Sequence, residues 1–203
     1  MQLRYSPTSP YVRKVSVSAI ELGLADRIER ILTDTMDPNS GLAEHNPLAK
    51  VPALILESGQ VLYDSPVVCE YLDALHDGAK IFPPSGPGRW TALCQQALGD
   101  GILDAAILRM LETTRRPEAR RWQGWIDKQA GKIARALDRL EAEAEALEGP
   151  LSIGRISIGC ALGYLDFRAP DDDWRAGHPN LAAWYQDFAR RPSMQETVPE
   201  APS

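Results

Sequence analysis

Residues 49–66 read AKVPALILESGQVLYDSP. Ala53–Leu56 and Val61–Tyr63 are strand-like runs on either side of a Ser58-Gly59 turn, a pattern that predicts an antiparallel hairpin. Both ends of the hairpin are unusual. Val51-Pro52 stands at the mouth of the first strand, where proline gives no ladder hydrogen bond and favours an edge or a turn. The second strand runs straight into Asp64-Ser65-Pro66. There Ser65 reads as the N-cap and Pro66 as the first turn of a helix reaching Leu75, with Val67, Tyr71 and Leu75 at i, i+4 and i+8.

Before the hairpin, residues 2–5 (QLRY) read as a strand and SPTSP as a loop. A helix follows from Tyr11 to about Leu22, with Val12, Val15, Ala19 and Leu22 on one face and Gly23 placed to end it. Ile28–Thr33 reads as a second strand. Residues 34–50 are rich in Asp, Asn, Pro and Gly and are expected to be irregular, with room for a short helix. The order is β-α-β, an irregular segment, then β-β-α.

After the hairpin unit, DGAKIFPPSGPG (77–88) has the composition of a domain boundary. Beyond it no convincing strand remains. Helical periodicity covers 87–113 and 118–148, the latter with Ile133, Leu137, Leu140, Ala144 and Leu147 on one face. Ser157–Phe167 and Pro179–Arg190 complete the set, and Pro192 is expected to stop the last helix and leave a frayed tail. The sequence therefore predicts an α/β domain over 1–77 and an all-helical domain over 87–203.

Bulk properties narrow the function classes. In 203 residues, 44% hydrophobic content is enough for one large or two small cores. A net charge of −6 argues against a nucleic-acid partner, and Arg115, Arg116, Arg120 and Arg121 read as a solvated corner around Pro117. No apolar run is long enough for a membrane span and the N-terminus has no apolar signal core, so a cytoplasmic location is expected. Cys69, Cys94 and Cys160 lack metal-type spacing and read as buried reduced thiols. His45, His76 and His178 are scattered, and no metal is expected.

The candidate chemistry lies at two helix starts and at one proline. Ser9-Pro10 is a capped helix start, and capping alone accounts for it. The same geometry also favours an anion, so a thiol bound there would lose its proton more easily. Asp64 and Ser65 put a carboxylate beside free helix amides, an acceptor for an ammonium and donors for a carboxylate. That set suits the α-amino-acid end of a zwitterion. Val51 beside Pro52 can expose its backbone N–H and C=O to an extended peptide. Lys50 reads equally as a solvated lysine or as a partner for a ligand carboxylate.

Four segments, in this order, resemble the glutathione transferases: TSPYVRKVSVSAIELGL, NPLAKVPAL, LYDSPVVCEYLD and ARRPSMQET. The resemblance covers nearly the whole chain and is nearest to bacterial members with a serine in the first loop. It implies a thioredoxin-like first domain, a homodimer, and a cis peptide bond at Pro52. It further implies glutathione as cosubstrate: Val51 holding the cysteinyl backbone, Asp64 and Ser65 the γ-glutamyl group, Lys50 the glycyl carboxylate, and Ser9 facing the sulfur. Ser6 is a rival for the last role but lacks the cap context. The electrophile is expected against Pro10, Tyr11 and the helix around 98–112, where Ile102, Leu108 and Met110 read equally as core.

The implied activity is detoxifying transfer of the glutathionyl group to a small hydrophobic electrophile, or reduction of a hydroperoxide. The alternative is a non-catalytic binding or interaction protein of the same fold. A disulfide oxidoreductase is a poor fit, because C-x-x-C is absent. One departure from the family pattern concerns the sixth helix, where the capping box Ser/Thr-x-x-Asp is replaced by Ser157-Ile158-Gly159-Cys160.

Overall fold

The computed structural model describes residues 1–200. It forms two compact units: Met1–Ala92 together with the segment from Pro192 onward, and Leu93–Arg191. The first differs from the domain expected over 1–77 in two ways. It keeps the connecting segment, and it recovers the chain's C-terminal stretch.

The first unit has the predicted order: β1 (Gln2–Tyr5), α1 (Pro10–Glu21), β2 (Glu29–Leu32), α2 (Leu42–His45), β3 (Ala53–Ile55), β4 (Val61–Leu62) and α3 (Ser65–Ala74). The strands form one sheet in the order β2-β1-β3-β4. β1 runs parallel to β2 and antiparallel to β3, and β3 is antiparallel to β4. Leu3 lies opposite Leu54, which in turn lies opposite Leu62. α1 packs on α3, and Leu3, Val15, Leu54, Val68 and Leu72 are buried. Each such side chain contributes about 1.5–3 kcal/mol.

α1 ends as its sequence predicts. Gly23 has φ 67°, and the amides of Gly23 and Leu24 bond back to Ile20 and Ala19 at 3.0 and 2.8 Å, the double closure of a glycine-ended helix. The helix is not simply amphipathic, however. Arg13, Lys14, Ser16 and Ser18 are buried along with the apolar face. The chain's last part covers this side: α8 (Pro192–Gln195) packs on α1. Arg13 Nη2 donates to the Met194 carbonyl at 3.1 Å, and Ser193 donates to Glu21. The tail expected to fray therefore holds a buried Met194 up to the described limit; residues 201–203 lie outside it. The expected linker is likewise fastened. Asp73 is buried and accepts the amides of Ile81 and Phe82 at 2.7 and 3.4 Å.

α4 (Gly86–Thr114) carries the chain into the second unit, which continues with α5 (Gln123–Ala142), α6 (Ile153–Arg168) and α7 (Pro179–Phe188). Its core contains Ile102, Leu103, Ile133, Leu137, Ile156, Leu162, Leu181 and Phe188. Three expectations need correction. The helix expected over 118–148 is interrupted: a 3-10 turn holds 118–120, α5 ends at Ala142, and a second 3-10 turn holds 144–147. The break allows Leu147 to be buried and its carbonyl to accept Trp184 Nε1 at 3.1 Å. The sixth helix starts earlier than Ser157. Ser152 is its cap, accepting the Arg155 amide at 3.4 Å, so Ser157 sits inside the helix with its hydroxyl buried and unpartnered. Cys94 is exposed, whereas Cys69 and Cys160 are buried as expected. Among the described residues no helix is long and apolar enough to cross a membrane.

Glu141, a carboxylate near the end of α5, caps α7. Its carboxylate accepts the amides of Asn180 and Leu181 at 3.1 and 2.8 Å. Desolvation pushes the Glu141 carboxyl upward, but these amides, the Asn180 side chain and nearby His178 outweigh it and hold the carboxyl below its ordinary 4.5. A lowered folded-state pKa supplies stability above the ordinary value that is lost as pH falls through the folded one. Below about pH 4.5, the urea midpoint of the native protein should therefore fall more steeply than that of Glu141→Gln; parallel curves would remove this contribution.

Gly99 on α4 meets α6 closely: an added Cβ would lie 2.8 Å from the Ser157 carbonyl carbon. At Gly101, on the same helix, an added Cβ meets nothing within 4 Å. Gly99→Ala should cost about 1–3 kcal/mol by overpacking, whereas Gly101→Ala should stabilise by about 0.5–1 kcal/mol. Denaturant midpoints of the two variants check the contrast.

Candidate functional site

Strand direction places the candidate residues. β1 ends at Tyr5 beside the start of β3, because Arg4 lies opposite Ala53. β4 runs back the other way and ends at the same edge, with Leu62 opposite Leu54. The Ser6–Ser9 loop, the approach to Pro52 and the Tyr63–Ser65 segment therefore all leave the sheet at one end.

Ser9 is the N-cap of α1, with φ −80° and ψ 118°. Its Oγ accepts the Val12 amide at 3.3 Å, and its own amide donates to the Ser6 carbonyl at 3.1 Å. Accepting a hydrogen bond leaves the hydroxyl hydrogen free to point outward. Pro10 is buried and Tyr11 half-buried. Ser6, the rival, pairs with Thr8 at 3.4 Å. A cavity of about 230 Å³ borders Ser9, lined also by Tyr5, Ser6, Arg13, Arg30 and Glu196.

The Val51–Pro52 peptide bond is cis, as is Tyr63–Asp64. Neither the N–H nor the C=O of Val51 takes part in a loop or turn backbone hydrogen bond among the described residues. Lys50 is exposed. Asp64 corrects one expectation: it, and not Ser65, is the N-cap residue of α3, and its side chain makes no capping bond. Ser65 occupies the first helical position and is buried, with Pro66 next. The Asp64 carboxylate is exposed and uncommitted beside the open amides of the helix start, where the dipole and the unpaired N–H groups attract a carboxylate.

Two contributors escaped the sequence reading. Asn46 is buried; its side chain donates to the Lys50 carbonyl at 2.9 Å and accepts the Leu48 amide at 3.0 Å. It holds the loop that presents Lys50 and Val51. The only signal was an Asn-Pro pair in a segment read as irregular. Arg13, one turn after Ser9, donates Nε to Thr197 Oγ1 at 3.4 Å as well as Nη2 to Met194. A cation amid an apolar helix was the available clue. Among the described residues no group of three or more His, Cys, Asp or Glu side chains is placed to hold a metal ion.

Residues 8–75 match the family model for the glutathione S-transferase N-terminal domain, and residues 123–187 match that for its C-terminal domain. The chain belongs to the glutathione S-transferase family. Its fold is accordingly a thioredoxin-like domain followed by an all-helical one. A curated relative, the Escherichia coli K12 "uncharacterized GST-like protein YibF", is 33% identical over 98% of both chains. A transferase family member from Pseudomonas fluorescens Pf-5, crystallised with bound glutathione, is 46% identical with a TM-score of 0.95, covering 98% of this chain and 99% of that one. The family member from that organism crystallised with S-(propanoic acid)-glutathione is also 46% identical, with a TM-score of 0.92, covering 99% of this chain and 100% of that one.

The hydrogen bonds of this candidate site separate structural residues from available ones. Asn46→Ala should cost about 1–3 kcal/mol, because it removes two hydrogen bonds made by a buried side chain, and should raise amide exchange over 47–51. Asp64→Ala should stay within about 0.5 kcal/mol of the native stability, since its side chain caps nothing. Thermal unfolding with hydrogen exchange distinguishes the two; equal losses would contradict this division.

Proposed function

We propose that this protein is a glutathione transferase whose cosubstrate lies at the end of the sheet where Ser9, Val51 and Asp64 emerge. The observation that carries this reading is the set of uncommitted polar groups there: the Ser9 hydroxyl hydrogen, the Val51 backbone pair and the Asp64 carboxylate. Glutathione offers the complement to each. Its γ-glutamyl ammonium pairs with Asp64, and its γ-glutamyl carboxylate takes the open amides at Ser65. The cysteinyl amide and carbonyl pair with Val51 as an added strand, and the glycyl carboxylate meets Lys50. The residues expected over 1–77 form the glutathione-binding part, with Pro10 and Tyr11 beside Ser9 offered to the electrophile.

Ser9 supports the chemistry without being the nucleophile. Its hydroxyl donates to the sulfur, and the α1 amides add positive potential, so both favour the thiolate over the thiol. The thiolate then attacks an electrophilic carbon: a C–S bond forms, and the displaced group leaves with its electron pair or, for an addition, the new carbanion takes a proton from solvent. A relative at 46% identity was captured with S-(propanoic acid)-glutathione, a conjugate at sulfur. This supports carbon conjugation over hydroperoxide reduction. A homodimer is part of the proposal; Tyr63, Val67 and Trp90 are exposed apolar side chains in the first unit, which suits a subunit contact.

Ser9→Ala should leave glutathione affinity within a few-fold and lower kcat/KM about tenfold to a hundredfold, the worth of a charge-assisted hydrogen bond. Because the native site lowers the thiol pKa from about 8.5, the alkaline rise in rate should move to higher pH in the variant. An unmoved pH–rate profile would remove Ser9 from this role. Asp64→Ala should weaken glutathione binding about tenfold or more in calorimetry; unaltered affinity would remove Asp64.

A further inference from the structure

A cleft of about 760 Å³ lies wholly within the second unit, where α4 ends and α5 begins. That volume falls in the range of small-molecule sites. Leu108 and Leu111 on α4 and Trp122 and Trp125 at the start of α5 line it. Much of this apolar surface is uncovered: Leu108, Leu111 and Trp122 are 38%, 42% and 67% exposed. The two indoles lie 6.4 Å apart with their planes 21° apart, presenting parallel aromatic surface.

Charge on the rim is one-sided. Arg115, Arg116 and Arg120 line the cleft with a single carboxylate, Glu112. That carboxylate is fully used, accepting Arg116 Nε at 2.8 Å and the Trp122 amide at 2.9 Å. It fixes Trp122 at the turn and neutralises Arg116. Arg121 points its Nε at the Arg116 carbonyl, 3.2 Å away. The side chains of Arg115 and Arg120 make no ion pair or hydrogen bond among the described residues. Two unpaired guanidiniums beside the exposed Trp122 indole are a distinct feature in a chain of net charge −6.

We propose that this cleft binds an aromatic carboxylate, its ring against Trp122 and the leucines and its carboxylate between Arg115 and Arg120. Guanidinium presents paired N–H donors that match a carboxylate, and a flat ring gains most from indole and leucine surface. The ligand needs no glutathione, because every lining residue belongs to the second unit. This goes beyond the transferase reading and stands independently of it.

The test is calorimetric titration of 1-naphthoate into the full chain, with neutral 1-naphthamide for comparison and the indole N–H signals followed by NMR. Saturable binding at one site per chain is expected, moving the Trp122 and Trp125 signals. Naphthamide should bind about tenfold more weakly, and Arg115→Gln and Arg120→Gln should each weaken naphthoate about tenfold. Both variants should keep the native melting temperature and glutathione affinity, which separates this result from failure of the transferase reading. No saturation by millimolar naphthoate, equal binding of naphthamide, or indifference to both arginines would overturn the proposal. So would a dimer that dissociates in the arginine variants with naphthoate unbound, which would make the face a contact between copies, or preferential binding of an oligonucleotide.

Discussion

The register of β1, β3 and β4 is the constraint on which the rest depends. Leu3, Leu54 and Leu62 stand side by side across three strands, and Leu3 and Leu54 are buried. A slip of one residue would turn these side chains to the opposite face, at a cost of several kcal/mol in lost burial. The register is therefore fixed by the core, and the core fixes where the loops leave. Three loops, far apart in sequence, are delivered to one end of the sheet without contacting one another in the backbone pairing. The site proposed for the cosubstrate follows from the same packing that makes the fold stable.

Around that end, polar groups divide into those that hold the backbone and those left over. Asn46 spends its amide on the Lys50 carbonyl and the Leu48 amide, and Arg13 spends its guanidinium on the returning tail. Asp64 and the Val51 backbone are not spent in this way. Most buried polar groups are paired, whereas exposed ones are open to a ligand. In the second unit, the same division separates Glu112, which closes a turn, from Arg115 and Arg120 on its cleft.

Much of this was legible in the sequence because local rules and tertiary packing agree. Gly23 ends α1 where its conformational freedom is needed, and the hairpin falls between its predicted flanks. The Ser9 cap follows from Ser-Pro before an apolar periodicity. Legibility failed where a distant partner decides the outcome. Glu141 looks like surface charge until α7 presents two open amides to it. Ser157 looks like a cap until Ser152, five residues earlier, takes that role. The tail looks disordered until Met194 finds a buried place and Arg13 a carbonyl. At Asp64 the helix boundary lies one residue earlier than the Ser-Pro pattern predicts, which makes Asp64 the cap position. No periodicity within a segment carries these long-range pairings.

The central claim is that glutathione binds along the end of the sheet shared by these three loops. Backbone amide chemical shifts recorded during a titration with glutathione test it most directly. The account predicts saturable shifts concentrated at Ser9–Val12, Lys50–Val51 and Asp64–Val67, with the amides around β2's start and the second unit's Trp122 little changed. Shifts confined to other surfaces, or none at saturating glutathione, would contradict it.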